Sequence, residues 1–185
     1  MIRKIAVIGA GTMGHAIAGC FARSGYQVSV YESFAEVRNT CKEKIKNQYA
    51  FLSSEGVLEE AEIGAALDRI TTYEELKPAV EDADYVIEAI PERLDLKQEL
   101  FASLIEYCPE ETIIASNTSS IAFSDLTAKM EDADKARTMV DHWYNPAHLI
   151  PLVELSCFGN MPEETYLEVE NLYRSIEKRP AKVLK

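Results

Sequence analysis

His142 and Glu154 are the residues best suited to moving a proton. An imidazole titrates near neutrality, so it can take the proton of an alcohol while the carbon gives up a hydride. A carboxylate on its far nitrogen would fix the tautomer and stabilise the imidazolium. The two belong together only if the chain turns back between them, and Asn145-Pro146 with Pro151 suits such a turn. Ser119 or Ser120 would donate to the substrate oxygen. Spacing alone also allows plainer roles. His142 would serve as a loop histidine bonded to backbone, Glu154 in Leu-Val-Glu-Leu as an outward strand residue, and Ser116-Asn117-Thr118-Ser119-Ser120 as a turn capping a helix from Ile121.

A departing hydride needs an acceptor, and the N-terminus offers a place for one. Ile5-Ala6-Val7-Ile8 reads as a buried parallel strand, followed at once by Gly9-Ala10-Gly11-Thr12-Met13-Gly14 and an apolar helical segment closed by Gly25. In the G-x-G-x-x-G pattern the first glycine permits the turn and the second lets backbone approach a diphosphate. The third lets helix and strand pack closely, so the diphosphate meets N–H groups at the helix start, around Thr12 and Met13. A second strand, Val28-Ser29-Val30-Tyr31, ends in Glu32, at about the 20-residue offset of an acid that holds a ribose diol. This carboxylate would repel a 2′-phosphate, and no Arg follows directly, so NAD is expected over NADP. Arg38 reads as a solvated helix residue. Asn117 or Asn145 would then hold the nicotinamide amide or ribose.

The elements that must position these groups alternate. A polar helical stretch runs from about Phe34 to Ser54, breaks at Gly56 and resumes through Leu58 to Leu67. Lys42 and Lys46 share one side of it, Lys44 is offset, and a solvated face is the simplest reading. Strands are expected at Ile70–Thr72, Tyr85–Ile90, Thr112–Ala115, Arg137–Asp141 and Leu152–Ser156. Helices are expected at Leu94–Tyr107 and Glu163–Lys178, the latter before Pro180 and an apolar tail, Ala181 to Leu184. The pattern predicts an α/β fold: a doubly wound, mostly parallel Rossmann-type sheet, with a helical hairpin after the second strand and an antiparallel addition late in the chain. Ligands of such sheets collect at the carboxyl ends of strands, where all the polar loops named above fall.

Bulk properties narrow the classes. The chain has 185 residues, enough for one core, with 47% hydrophobic and 27% charged residues. A net charge of −12 argues against nucleic acid and anionic membranes as partners. Cys20, Cys41, Cys108 and Cys157 show no C-x-x-C spacing, and with three histidines no metal site is expected. Buried free thiols, no signal region and no apolar run of membrane length predict a cytoplasmic protein. His15 reads as surface or packing, and His148 receives no role.

Taken in order, the motifs resemble the NAD-binding domain of the L-3-hydroxyacyl-CoA dehydrogenase family over essentially the whole chain. They are Gly9 to Gly14, Glu88-Ala89-Ile90-Pro91-Glu92 with Lys97-Gln98-Glu99-Leu100-Phe101, Ser116 to Ser120, His142-Trp143-Tyr144-Asn145-Pro146 and Leu152-Val153-Glu154. The resemblance implies His142 as base, Glu154 as its partner and Ser119 as a contact to the substrate's 3-oxygen. It puts Ala89, Ile90, Glu92, Lys97, Asn117 and Asn145 along the cofactor, and the helical hairpin beside a CoA tail. Residues 1–185 would be the dinucleotide-binding domain. The family continues into a helical domain that closes the substrate site and forms a homodimer, and this chain stops where that connection should begin.

Three departures stand out. Glu32 replaces the more usual Asp, Ala16 stands where Gly is often seen, and Asp141 precedes the histidine in place of an apolar residue. On a strand Asp141 would point away from His142, yet close enough to raise the histidine's pKa. The wording Asn-Pro-Ala-His-Leu-Ile-Pro-Leu-Val-Glu also resembles relatives that act on free hydroxy acids, such as carnitine and gulonate dehydrogenases. A third expectation is a dinucleotide-binding module without chemistry, which retention of both His142 and Glu154 argues against. The lysine motif of 6-phosphogluconate-type enzymes has no match.

Overall fold

A computed structural model describes residues 2–156 and 158–184. In chain order the elements are β1 (Lys4–Ile8), α1 (Thr12–Arg23), β2 (Gln27–Tyr31), α2 (Ala35–Ser54), α3 (Glu62–Asp68), β3 (Ile70–Tyr73), α4 (Leu76–Val80) and β4 (Tyr85–Glu88). After these come α5 (Leu94–Tyr107), β5 (Ile113–Ser116), α6 (Phe123–Leu126), α7 (Asp132–Lys135), β6 (Thr138–Trp143), β7 (Leu152–Ser156), α8 (Glu163–Ser175) and β8 (Arg179–Val183). The strands form one eight-stranded sheet in the order β3-β2-β1-β4-β5-β6-β7-β8. Pairing is parallel from β3 to β6, antiparallel between β6 and β7, and parallel again between β7 and β8. The mostly parallel sheet with a late reversal is the expected one.

Alternation along the central strands divides the core. Ile5, Val7, Tyr85 and Ile87 face the layer with α1, while Ala6, Ile8 and Val86 face the layer with Phe101 and Leu104 of α5. Both faces are covered, which is why β1, β4 and β5 read as apolar runs.

Four element boundaries move for local reasons. The strand expected to reach Ile90 stops at Glu88, because the Glu88 carboxylate accepts the Ile90 N–H at 2.7 Å and turns the chain. The resumed helix starts at Glu62, not Leu58, after a turn at Gly56 with φ +70°. The final helix ends at Ser175. Glu177 takes φ 63°, and the Glu177 and Lys178 N–H groups donate to Arg174 and Tyr173 carbonyls, a Schellman ending. The apolar tail is in fact β8, started by the Arg179 N–H donating to the Pro151 carbonyl at 2.8 Å.

The Schellman turn aims Lys178 inward. Its ammonium donates to the Ala147 and Ile150 carbonyls at 2.5 and 2.7 Å and lies 4.9 Å from the Trp143 ring centroid. The loop after His142 is thereby held by Lys178, just beyond the end of α8.

Asp141 points away from His142, as alternation requires, into a fully buried cluster. Its Oδ2 accepts from the Tyr85 hydroxyl, Tyr85 bonds Tyr173 at 2.8 Å, and the Trp143 Nε1–H donates to Tyr173 at 3.1 Å. The carboxylate is therefore engaged by tyrosines and not directed at the histidine. Burial pushes its pKa up to about 7, against the opposing hydrogen bonds of Tyr85 and Tyr173. A folded pKa above the unfolded value means the native state keeps a proton that the unfolded chain has released. Stability contributed by this group thus declines from about pH 4 to about pH 7, by roughly 1.4 kcal/mol per unit. Urea titrations at pH 5 and 8 are expected to show Asp141→Asn stabilising the fold at the higher pH and removing this decline. An equal effect at both pH values would contradict the assignment.

Candidate active site

The glycine loop is tight at its first and third glycines and open at its second. Gly9 has φ +98°, and a Cβ there would sit 2.9 Å from the Ala89 carbonyl oxygen; at Gly14 a Cβ would lie 1.7 Å from the Gly9 oxygen. Gly11, by contrast, looks onto open space, and no side chain caps α1. The first-turn N–H groups are therefore free for an anion. Thr12 and Met13 open this helix.

Glu32 lies at the end of β2, where its Oε2 accepts the Ala10 N–H and its Oε1 the Phe34 N–H, both at 3.0 Å. Arg38 is not the solvated residue expected. Its side chain is 14% exposed, and its guanidinium donates to the Glu32 and Ser33 carbonyls at 2.8 and 3.3 Å and to Glu74 at 2.9 Å. With these partners it braces the Glu32 turn and is not offered to a 2′-phosphate. A cleft of about 670 Å³ runs between the β2 and β4 ends, with Gly9, Gly11, Glu32, Ala89 and Ile90 among its lining residues. Open backbone at Gly11, an uncapped helix start and a carboxylate on the rim fit a dinucleotide.

A second pocket, of about 530 Å³, opens at the β5, β6 and β7 ends and is lined by Ser119, Ser120, His142, Glu154 and the stacked rings of Phe123 and Phe158. The turn-back needed by the histidine and glutamate is real. His142 and Glu154 are directly opposed residues of the antiparallel β6–β7 ladder, and His142 Nδ1 lies 3.1 Å from Glu154 Oε2. That leaves Nε2 for a substrate. The Tyr144 ring packs at 4.6 Å from His142, centroid to centroid, and burial, then hydrogen bonding to Glu154, raises its pKa.

Between the two pockets lies a polar network whose depth sequence reading missed. Lys97 is 1% exposed. Its ammonium donates to both Glu88 oxygens at 2.7 and 2.8 Å and sits 3.1 Å from Glu92 Oε2. Ser116 Oγ completes Glu88 at 2.6 Å. Glu92 Oε1 gathers Thr118 Oγ1 at 2.5 Å, the Ser119 and Ser120 N–H groups at 3.0 and 3.1 Å and Ser120 Oγ at 3.0 Å. Burial would raise the Glu92 pKa, but bonds from Thr118, Lys97 and Ser120 outweigh it and hold the carboxyl at about 2. Lys97 and Glu92 thus fasten the Ser119 loop to the β4 end.

The remaining expected residues divide. Asn117 Oδ1 accepts the Trp143 N–H at 2.8 Å, stitching the β5 end to β6. Asn145 is exposed, on the loop beyond β6, and precedes a cis peptide to Pro146. His15 is half-buried, with Nδ1 2.5 Å from the Gly11 carbonyl and Nε2 2.9 Å from Gln48 Nε2, so it serves packing of the loop. Lys42, Lys44 and Lys46 are exposed. Cys20, Cys41 and Cys108 are buried free thiols, and Cys157 lies outside the described residues. Among the described residues there is no metal-holding cluster and no helix long and apolar enough to cross a membrane.

A doubly wound sheet with this glycine loop and an acid at the end of β2 defines a dinucleotide-binding domain. Residues 4–185 match the family model described as the NAD-binding domain of 3-hydroxyacyl-CoA dehydrogenase, and the chain belongs to that family, with NAD as cofactor. It is 35% identical over 182 residues to a probable 3-hydroxybutyryl-CoA dehydrogenase of Bacillus subtilis, covering 98% of this chain and 62% of that protein. It is likewise 35% identical over 154 residues to an L-carnitine dehydrogenase of Streptomyces coelicolor, covering 83% of this chain and 46% of that one. Its fold superposes on an (S)-3-hydroxybutyryl-CoA dehydrogenase from Ralstonia eutropha with a TM-score of 0.93 at 31% identity, covering all of this chain and 64% of that structure. The chain spans about half the length of the curated relatives it matches first.

Proposed function

We propose that this domain serves an NAD-dependent dehydrogenase that oxidises a 3-hydroxyacyl-CoA to the 3-oxoacyl-CoA. The observation that carries the reading is the cross-strand His142–Glu154 pair, which lines one pocket together with Ser119. Glu154 holds Nδ1 protonated, so Nε2 is the basic nitrogen and takes the hydroxyl proton; the carboxylate then stabilises the imidazolium. Ser119 donates to the same substrate oxygen. Bound NAD supplies the hydride acceptor. Gly9, Gly11 and the α1 start hold its diphosphate, and Glu32 its adenosine ribose. Ala89, Ile90, Asn117 and Asn145 lie along the rest. Substrate closure and dimerisation belong, in this reading, to a following helical domain, and the activity is cytoplasmic.

A second reading, a free carnitine-like hydroxy acid, is favoured by one feature: among the described residues, the lining of the pocket beside His142 includes a carboxylate and no Lys or Arg. Calorimetric titration of acetoacetyl-CoA into the NAD-saturated chain, with carnitine in parallel, separates the two. Saturable heat for the thioester alone is expected; heat for carnitine alone overturns the leading assignment.

A further inference from the structure

Phe34 carries a large apolar ring that is 72% exposed. Its backbone is tightly held, however. The N–H donates to Glu32 Oε1 and the carbonyl accepts the Arg38 N–H at 2.9 Å, while Arg38 braces the two residues before it. Only the ring is unfastened, and it lines the 670 Å³ cleft that also holds Gly11 and Glu32. β2 and β4 flank β1 in the sheet, so Phe34 borders this cleft from the β2 side while Ile90, Leu96 and Leu100 border it from the β4 side. A planar heterocycle attached to a ribose at Glu32 would therefore meet aliphatic side chains on one side and an aromatic face on the other.

We propose that Phe34 is a cofactor-binding residue whose ring stacks on the adenine of NAD. Before binding, the exposed ring carries unsatisfied apolar surface; on binding, that surface and the purine face are removed from water together. Base–aromatic stacking lost on alanine substitution predicts about tenfold weaker binding for Phe34→Ala.

The test measures binding, not turnover. Because the ring is solvent-facing, its removal leaves the core untouched. By calorimetry, Phe34→Ala is expected to weaken both NAD and AMP about tenfold and to leave nicotinamide mononucleotide, which lacks adenine, unchanged. Phe34→Trp is expected to restore NAD affinity, and its new emission, read above the single buried Trp143, should be quenched by AMP. Unchanged NAD affinity in Phe34→Ala would overturn the proposal. So would a Phe34→Trp emission indifferent to saturating AMP, since any loss in the alanine variant would then be indirect.

Discussion

Replacing His142 with Gln is expected to lower kcat in an active preparation by about 10²- to 10⁴-fold, the span over which a positioned base contributes. NAD affinity should stay within experimental error, because the histidine lines the pocket at the β5–β7 ends and not the cleft at the glycine loop. Glutamine keeps a polar group near Glu154 Oε2, so folding is spared while the proton acceptor is lost. Glu154→Gln should also lower kcat by up to about 10⁴-fold, since an amide no longer enforces the tautomer that leaves Nε2 basic. Steady-state kinetics with parallel NAD titrations check both; near-normal turnover in His142→Gln would remove the histidine from its proposed role.

Lys97→Met should unfold the domain more readily, by about 3–5 kcal/mol, because it leaves Glu88 charged and unpaired at 0% exposure. For a chain of this size that corresponds to a fall in Tm of roughly 10 °C. Adding Glu88→Gln should recover much of the loss, as the buried charge goes with its partner. Urea denaturation of the two single variants and the double variant measures this coupling. A loss under about 1 kcal/mol in Lys97→Met would show that the pair is not sealed from water. The same variant takes one partner from Glu92, so the Ser119 loop should also exchange its amide protons faster.

These two cases show where sequence was legible. Gly9, Gly14 and the apolar runs of β1 and β4 announced the fold because their chemistry is local: a positive φ, a missing Cβ, a strand covered on both faces. The pairing of His142 with Glu154 could be framed but not decided, since it depends on the register of two strands joined by a loop. Lys97 sits in the expected helix, but its depth was not legible. An amphipathic pattern does not distinguish a lysine on the wet face from one whose stem runs inward to a carboxylate on a neighbouring strand. Arg38 failed likewise, because its partners are mainly backbone carbonyls, which carry no sequence signal. β8 was hidden by its shortness, its proline and its two charged residues, which fit an edge strand as well as a tail.

The antiparallel β6–β7 ladder separates two kinds of change open to this domain. Its backbone bonds set His142 against Glu154, and a slip of one residue would carry the glutamate to the far side of the sheet. The connection from Tyr144 to Pro151 holds no such constraint on its exposed side chains, being anchored from below by Lys178 through main-chain oxygens at Ala147 and Ile150. The exposed side chains of that loop can therefore be rewritten while the proton-transfer pair keeps its alignment.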